Sequence, residues 1–195
     1  MRAHFQIDIK NEVRILRLSS PDHTNRLTRA CVEALADAVR ELARTARPLI
    51  LTGNDHFFSA GADLHEIAAL AGPSAFEFCK QGQALMNAIA DFPAPLYAAI
   101  HGYCMGGGLD LALACHHRIA VPNAIFGHRG ASLGLITGWG GTQRLPRLIG
   151  KPRALQMLLL AEKLHAQEAL RIGLIDAIAN DPVTAALKDS SLLSS

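Results

Sequence analysis

The chain has no C-x-x-C pair, no charge bias and no long apolar run. Its four cysteines, Cys31, Cys79, Cys104 and Cys115, lack zinc-like spacing, which favours free packed thiols over a metal site or a disulfide frame. Lys and Arg number 19 against 17 Asp and Glu. A balance that even argues against nucleic acid or a membrane surface as partner. The largely apolar stretch 155–161 is far too short to span a bilayer and suits a buried helix. The opening Met1-Arg2-Ala3-His4-Phe5-Gln6-Ile7-Asp8 lacks the apolar centre of a secretory leader, so a cytoplasmic location is expected. Repeats and low-complexity blocks are missing as well. Gly150-Lys151 runs into Pro152 without an upstream glycine, which excludes a Walker loop. None of the three glycine clusters spells the dinucleotide pattern G-x-G-x-x-G.

What is present is a globular composition: 195 residues, 50% hydrophobic and 18% charged, enough for one domain with a substantial core. Residues 4–9 and 13–18 read as a hairpin about Asn11-Glu12. Thr28 caps a helix to about Thr45, with Val32, Leu35, Val39 and Leu42 at helical spacing. Strands are expected over 48–53, 96–100, 116–121 and 124–126. Helices are expected from Asp63 through Leu70, over 75–90 after the break Gly72-Pro73-Ser74, over 107–114, from Gly141 through about Leu148, over 151–161 and from 165 to Gly173. Alternation of this kind predicts an α/β domain with crossover helices. From Asn180 the pattern weakens, and residues 190–195 read as a frayed tail.

Two small-residue turns stand out, Phe58-Ser59-Ala60-Gly61-Ala62-Asp63 and Met105-Gly106-Gly107-Gly108-Leu109-Asp110, each running towards a helix. Small residues let backbone N–H groups approach a ligand, and helix N-termini favour negative charge. Two such amides aimed at one carbonyl oxygen would form an oxyanion hole, which points to chemistry on a polarised carbonyl such as a thioester. Taken alone, the glycine run is better explained by tight helix–strand packing. Cys104 beside it reads as a packing residue. Trp139, between glycines, reads as a pocket wall. His116 and His117, adjacent on a strand, point to opposite faces and make no metal pair. No metal is assigned.

The order of these motifs carries more than any one of them. F-S-A-G-A-D-L, a helix pair, P-x-P, a strand, H-G-Y-C-M-G-G-G and then G-W-G-G-T-Q-R-L-P-R-L-I-G resembles the crotonase superfamily of enoyl-CoA hydratases and isomerases. The resemblance runs from about residue 5 to 178 and includes E-A-L-R-I-G-L-I near residue 170. It implies a crotonase-like α/β fold of repeated ββα units with two roughly perpendicular sheets. One domain would span 1–178, with a short C-terminal tail at 179–195. It further implies an acyl-CoA thioester as substrate and a place in fatty-acid metabolism. No cofactor is implied beyond the coenzyme A of the substrate itself. The oxyanion hole would be the N–H groups of Ala62 and Gly107, with Ala60, Gly61, Asp63 and Leu64 bordering the coenzyme. His65, Arg26 and Arg29 are basic candidates for its phosphates.

Two glutamates serve hydratases of this family. The first position falls on Asp110, a carboxylate one methylene shorter, and the second on Gly130. A later catalytic Asp of other members falls on Gly138. His128, Arg129 and Ser132 are candidate substitutes, by titration, by charge and by holding a water. Family members continue past the point matching Ile178 with helices that cover the acyl pocket and join a trimer, so a homotrimer or hexamer is the implied assembly. Hydratase or isomerase chemistry is therefore expected. A decarboxylase, a thioester hydrolase, a non-catalytic acyl-CoA-binding member and a truncated inactive form remain as alternatives.

Overall fold

In a computed structural model of the chain, which describes residues 4–192, Asn11 and Glu12 take positive φ of 51° and 65°. Two consecutive positive φ values give the turn whose twist matches a hairpin. They join β1 (Phe5–Lys10) to β2 (Val13–Leu18) in antiparallel register. From β2 onward the main sheet is parallel, through β4 (Leu49–Thr52), β7 (Leu96–Ile100), β9 (His117–Ala120) and β12 (Ala177–Ile178), in the order β1-β2-β4-β7-β9-β12. A second sheet contains β5 (Phe57–Ser59), β8 (Tyr103–Met105), β10 (Ile125–Gly127) and β11 (Lys163–His165), in the order β11-β10-β8-β5. Two short strands, β3 (Arg26–Leu27) and β6 (Gly61–Ala62), pair separately. The chain thus gives a strand to the main sheet and then one to the second sheet three times over, as β4–β5, β7–β8 and β9–β10. That repetition is the expected ββα pattern.

Helices fill the space between these passes. Thr28 caps α1 (Arg29–Ala43), its side chain accepting from Cys31 N. Cys31, Val32, Leu35, Ala36 and Val39 form the buried face, and Leu42 packs at the core's edge. Asp63 caps α2 (Leu64–Ala68) by accepting from the amides of His65 and Glu66. The next helix, α3 (Gly72–Ala90), starts three residues before the sequence suggested. Gly72-Pro73-Ser74 is not a break but the first turn, where proline lacks only an N–H that would go unpaired anyway. The central helix α4 (Gly107–Ala114) is buried all round from Gly108 to its end, as expected of a helix inside a core. It is followed by a 3-10 turn (Gly130–Leu133), α5 (Gly141–Ile149), α6 (Lys151–Leu159) and α7 (Ala166–Arg171).

The weak pattern past Asn180 nevertheless forms α8 (Pro182–Leu192), so the frayed tail expected from 190 does not begin there. Residues 193–195 of that tail, like residues 1–3, lie outside the described residues. A parallel sheet needs both faces covered. One face packs on the main core, including Leu16, Leu51, Ala98 and Leu111. On the other, Ala186 and Leu187 of α8 cover Val13, Ile15, Ile50 and Tyr97. Tyr97 also donates its hydroxyl to Asp189 at 2.9 Å, and burial together with that carboxylate pushes the phenol's pKa up. Among the described residues, no helix is long and apolar enough to cross a membrane.

Tyr97→Phe keeps the packing and removes the bond that fastens α8. A loss of about 1 kcal/mol in urea unfolding is expected, with faster amide exchange confined to α8.

Candidate active site

The two small-residue turns meet. β6 ends one of them and α4 begins the other. A Cβ on Gly107 would stand 3.2 Å from Ala62 N, and one on Gly61 would stand 3.0 Å from Gly107 N. Gly106 takes φ +51°, and its amide donates to Gly127 O at 2.8 Å, tying the second turn to the end of β10. Gly108 lies against the next structure down, where a Cβ would come within 2.7 Å of Ser59 O on β5. The three glycines therefore answer different demands: backbone angle, approach of the facing turn and Trp139, and helix–strand packing.

Both amides at the meeting point are uncommitted by geometry. Asp63 N donates to Leu27 O on β3 at 3.4 Å. Amides alternate along a strand, so that of Ala62 faces away from β3. Gly107 opens α4 and has no acceptor one turn earlier. Ala62 and Gly107 line a cavity of about 570 Å³, within the range of small-ligand sites. Apolar groups dominate it, with Ile67, Phe78, Met105 and Trp139 in the walls and Leu64, Leu133 and Ile136 towards solvent. Trp139 is buried and its ring lies 5.2 Å from that of Phe78, the wall role expected for it.

Asp110, 2% exposed, lines the cavity from the first turn of α4. The helix dipole favours a negative charge there by about 0.3–1 kcal/mol, too little to bury a carboxylate unaided. Two further groups attend it. Thr137 Oγ1 donates to Asp110 Oδ2, and His128 Nε2, on a residue 4% exposed, lies 3.0 Å from Oδ1. Gly141 completes the cluster, since a Cβ on it would fall 2.2 Å from Asp110 Oδ1 and 2.9 Å from His128 Nε2. Thr137 and Gly141 were not singled out from sequence. Thr137 lies 27 residues from Asp110, and no local pattern marks it.

The other candidates divide. Ala60 and Leu64 line the cavity, whereas Gly61 and Asp63 stand behind it. Burial raises the Asp63 carboxyl, but the amides of Glu66 and His65 and the Arg26 guanidinium outweigh it and leave the pKa lowered. Arg26 is held by Asp22 at 2.8 Å and Asp63 at 3.4 Å. Arg129 lines the cavity, while Ser132 turns back to donate to Arg129 O. Cys104 is fully buried, and desolvation, Cys115 and Asp110 push its thiol pKa well up, consistent with packing rather than reaction. No cluster of three or more His, Cys, Asp or Glu among the described residues is arranged to hold a metal ion.

A family model described as enoyl-CoA hydratase/isomerase matches residues 8–190. The chain belongs to that family. A Bacillus subtilis (strain 168) protein named as a probable enoyl-CoA hydratase is 41% identical over 172 residues, covering 87% of this chain and 66% of the relative. The chain therefore spans just under two thirds of that relative's length. A solved enoyl-CoA hydratase from Bacillus anthracis superposes with a TM-score of 0.93 at 32% identity, over 98% of this chain and 77% of that one. Pseudomonas aeruginosa DspI gives 0.94 at 33% identity, over 99% and 81%. The fold is the crotonase fold of such structures.

At Gly130, where the resemblance calls for a second carboxylate, the backbone leaves no room for a side chain. A Cβ on Gly130 would lie 2.7 Å from Leu135 O, inside the 3-10 turn's own loop. At Gly138, a Cβ would lie 2.7 Å from Cys79 Sγ. Asp110 is thus the one carboxylate among the residues lining the cavity.

Gly141→Ala tests the cluster, because its methyl would displace Asp110 or open the start of α5. A loss of about 1–3 kcal/mol in chemical unfolding is expected, beyond what alanine costs at an unobstructed helix start.

Proposed function

We propose that the cavity receives the thioester end of an acyl-CoA, with the carbonyl oxygen between the amides of Ala62 and Gly107 and with Asp110 as the acid/base. The observation that carries this reading is the close approach of the turns at Ala62 and Gly107, both lining a cavity that also holds one buried carboxylate. Removing a proton from the carbon beside a thioester carbonyl moves negative charge onto the oxygen. Amides fixed beforehand stabilise that charge without reorganising, and one such donor is worth about 3 kcal/mol. Ala60 and Leu64, at the same cavity, would border the coenzyme.

Of the two chemistries in the family's name, isomerisation suits this equipment better. Hydration needs a base for the water and an acid for the α-carbon, and hydratases of the family divide these tasks between two carboxylates. Moving a double bond needs one group used twice. Asp110 takes a proton from the α-carbon of a 3-enoyl thioester, and the C–H electron pair forms the enolate. Asp110 then returns the proton to the γ-carbon, the carbonyl re-forms and the double bond lies between α and β. The loop that brings Leu135 O against Gly130 supports this choice.

Purified protein offered 3-hexenoyl-CoA and, separately, crotonyl-CoA tests the reading, with products identified by mass and absorbance. Isomerisation of the first is expected, with hydration of the second weaker by about 100-fold or more. Asp110→Asn should lower isomerisation by about 100-fold or more while calorimetric binding of a saturated acyl-CoA persists. Hydration at equal efficiency would reverse the choice between the two chemistries. Binding without turnover would favour a non-catalytic acyl-CoA-binding role, and no binding would remove the thioester assignment.

A further inference from the structure

The chemistry above uses Asp110 alone and leaves its neighbour without a task. Asp110 Oδ1 and His128 Nε2 stand 3.0 Å apart, and both atoms are sealed from solvent. Neither meets hydrogen-bond geometry with any group among the described residues, each other included. Gly141 closes the far side, leaving no room there even for a methyl group. The other carboxylate oxygen, Oδ2, already accepts from Thr137. Two lone-pair atoms at this distance, with almost no surface open to solvent, repel unless one of them carries a proton. Three chain segments build the arrangement: the first turn of α4, the residue after β10 and the start of α5.

We propose that Asp110 and His128 hold one proton jointly, and that His128 is a positioning residue acting through Asp110 to make the pair the site's acid/base unit. The kinetic side of this proposal rests on the acyl-CoA reading, while its structural side does not. In the resting pair the shared proton lies on Nε2, the carboxylate is ionised and the net charge is −1. Uptake of the ligand's α-proton brings the pair to neutral. The added proton then resides on the carboxyl, or on the carboxylate–imidazole pair as an ion pair. Its return to carbon restores the charge, so no other reactant is consumed. One carboxylate thereby gains a partner that accommodates its change of charge, in a site where Gly130 offers no second carboxylate. The ring is suited to this because imidazole accepts or gives a proton near neutrality, which an amide cannot do.

Two measurements test the proposal on the full chain. In ligand-free protein labelled with ¹⁵N-histidine at neutral pH, His128 Nε2 should carry a proton whose resonance moves in Asp110→Asn and vanishes in His128→Gln. An unprotonated Nε2 facing an ionised Asp110 would overturn the shared proton, and this arm needs only the wild-type fold and one assigning variant. In the second arm, His128→Gln keeps an N–H donor of similar reach but no titrating ring. It should bind butanoyl-CoA about as tightly as wild type, with kcat on 3-hexenoyl-CoA lower by about 10- to 100-fold and KM little changed. Wild-type turnover in His128→Gln, or parallel loss of binding and turnover, would overturn the proton-holding role. A wild-type protein that binds no acyl-CoA would instead remove the thioester reading, leaving the resonance of His128 to decide the pair.

Discussion

Everything around the cavity depends on how closely the turn at Gly61 approaches the turn at Gly107. With backbone amides nearer than a side chain would allow, β6 and the start of α4 can meet only where Cβ atoms are missing. Trp139 then closes over Gly107, where a Cβ would lie 2.5 Å from its ring, and Phe78 of α3 backs the indole. A chain of contacts thus runs from a missing methyl group to the wall of the cavity. The glycines supply little stability in themselves and cost conformational entropy on folding. Burial of Leu109, Leu111 and the rest of α4 against both sheets holds them in place.

That burial creates an electrostatic difficulty. A helix enclosed on all sides carries Asp110 into the core with it, and a carboxylate there needs partners. The molecule supplies them from distant parts of the chain: Thr137 to one oxygen and His128 to the other, with Gly141 leaving the necessary space. The cluster costs free energy unless each member is in position, so it acts as a unit. A polar group packed this tightly, beside a largely apolar cavity, is the kind of local concession that a reactive site makes and a purely structural core avoids.

Much of the architecture is legible in the sequence wherever a local rule governs it. The hairpin at Asn11-Glu12, the Thr28 cap and the span of α4 follow from turn chemistry, capping and flanking residues. The short strands β8 and β11 escaped because each is three residues long and exists through pairing with β10. Helix α8 escaped because its apolar residues crowd into 183–187 instead of recurring at helical spacing, and its partner is a sheet face whose availability no local pattern announces. At α3, Pro73 resembled punctuation although it sat in the one helical turn that tolerates it. In the site, Ala62, Gly107 and Asp110 were legible as a motif, and the cavity unites them. Thr137 and Gly141 were not, because their part in it is a matter of distances across the fold.

The absence at residue 130 is more than a substitution. Restoring a glutamate there would drive its Cβ into Leu135 O, so the loop after the 3-10 turn would have to open first. Leu135 N already donates to Gly130 O at 2.9 Å, and Gly134 takes φ +69° to make that closure possible. The backbone at residue 130 is thus closed against a side chain. A single glutamate introduced at 130 would meet the wrong loop, just as the present loop without its glycine would meet the wrong residue. The loop facing Asp110 therefore brings backbone, not a second acid, to the cavity wall.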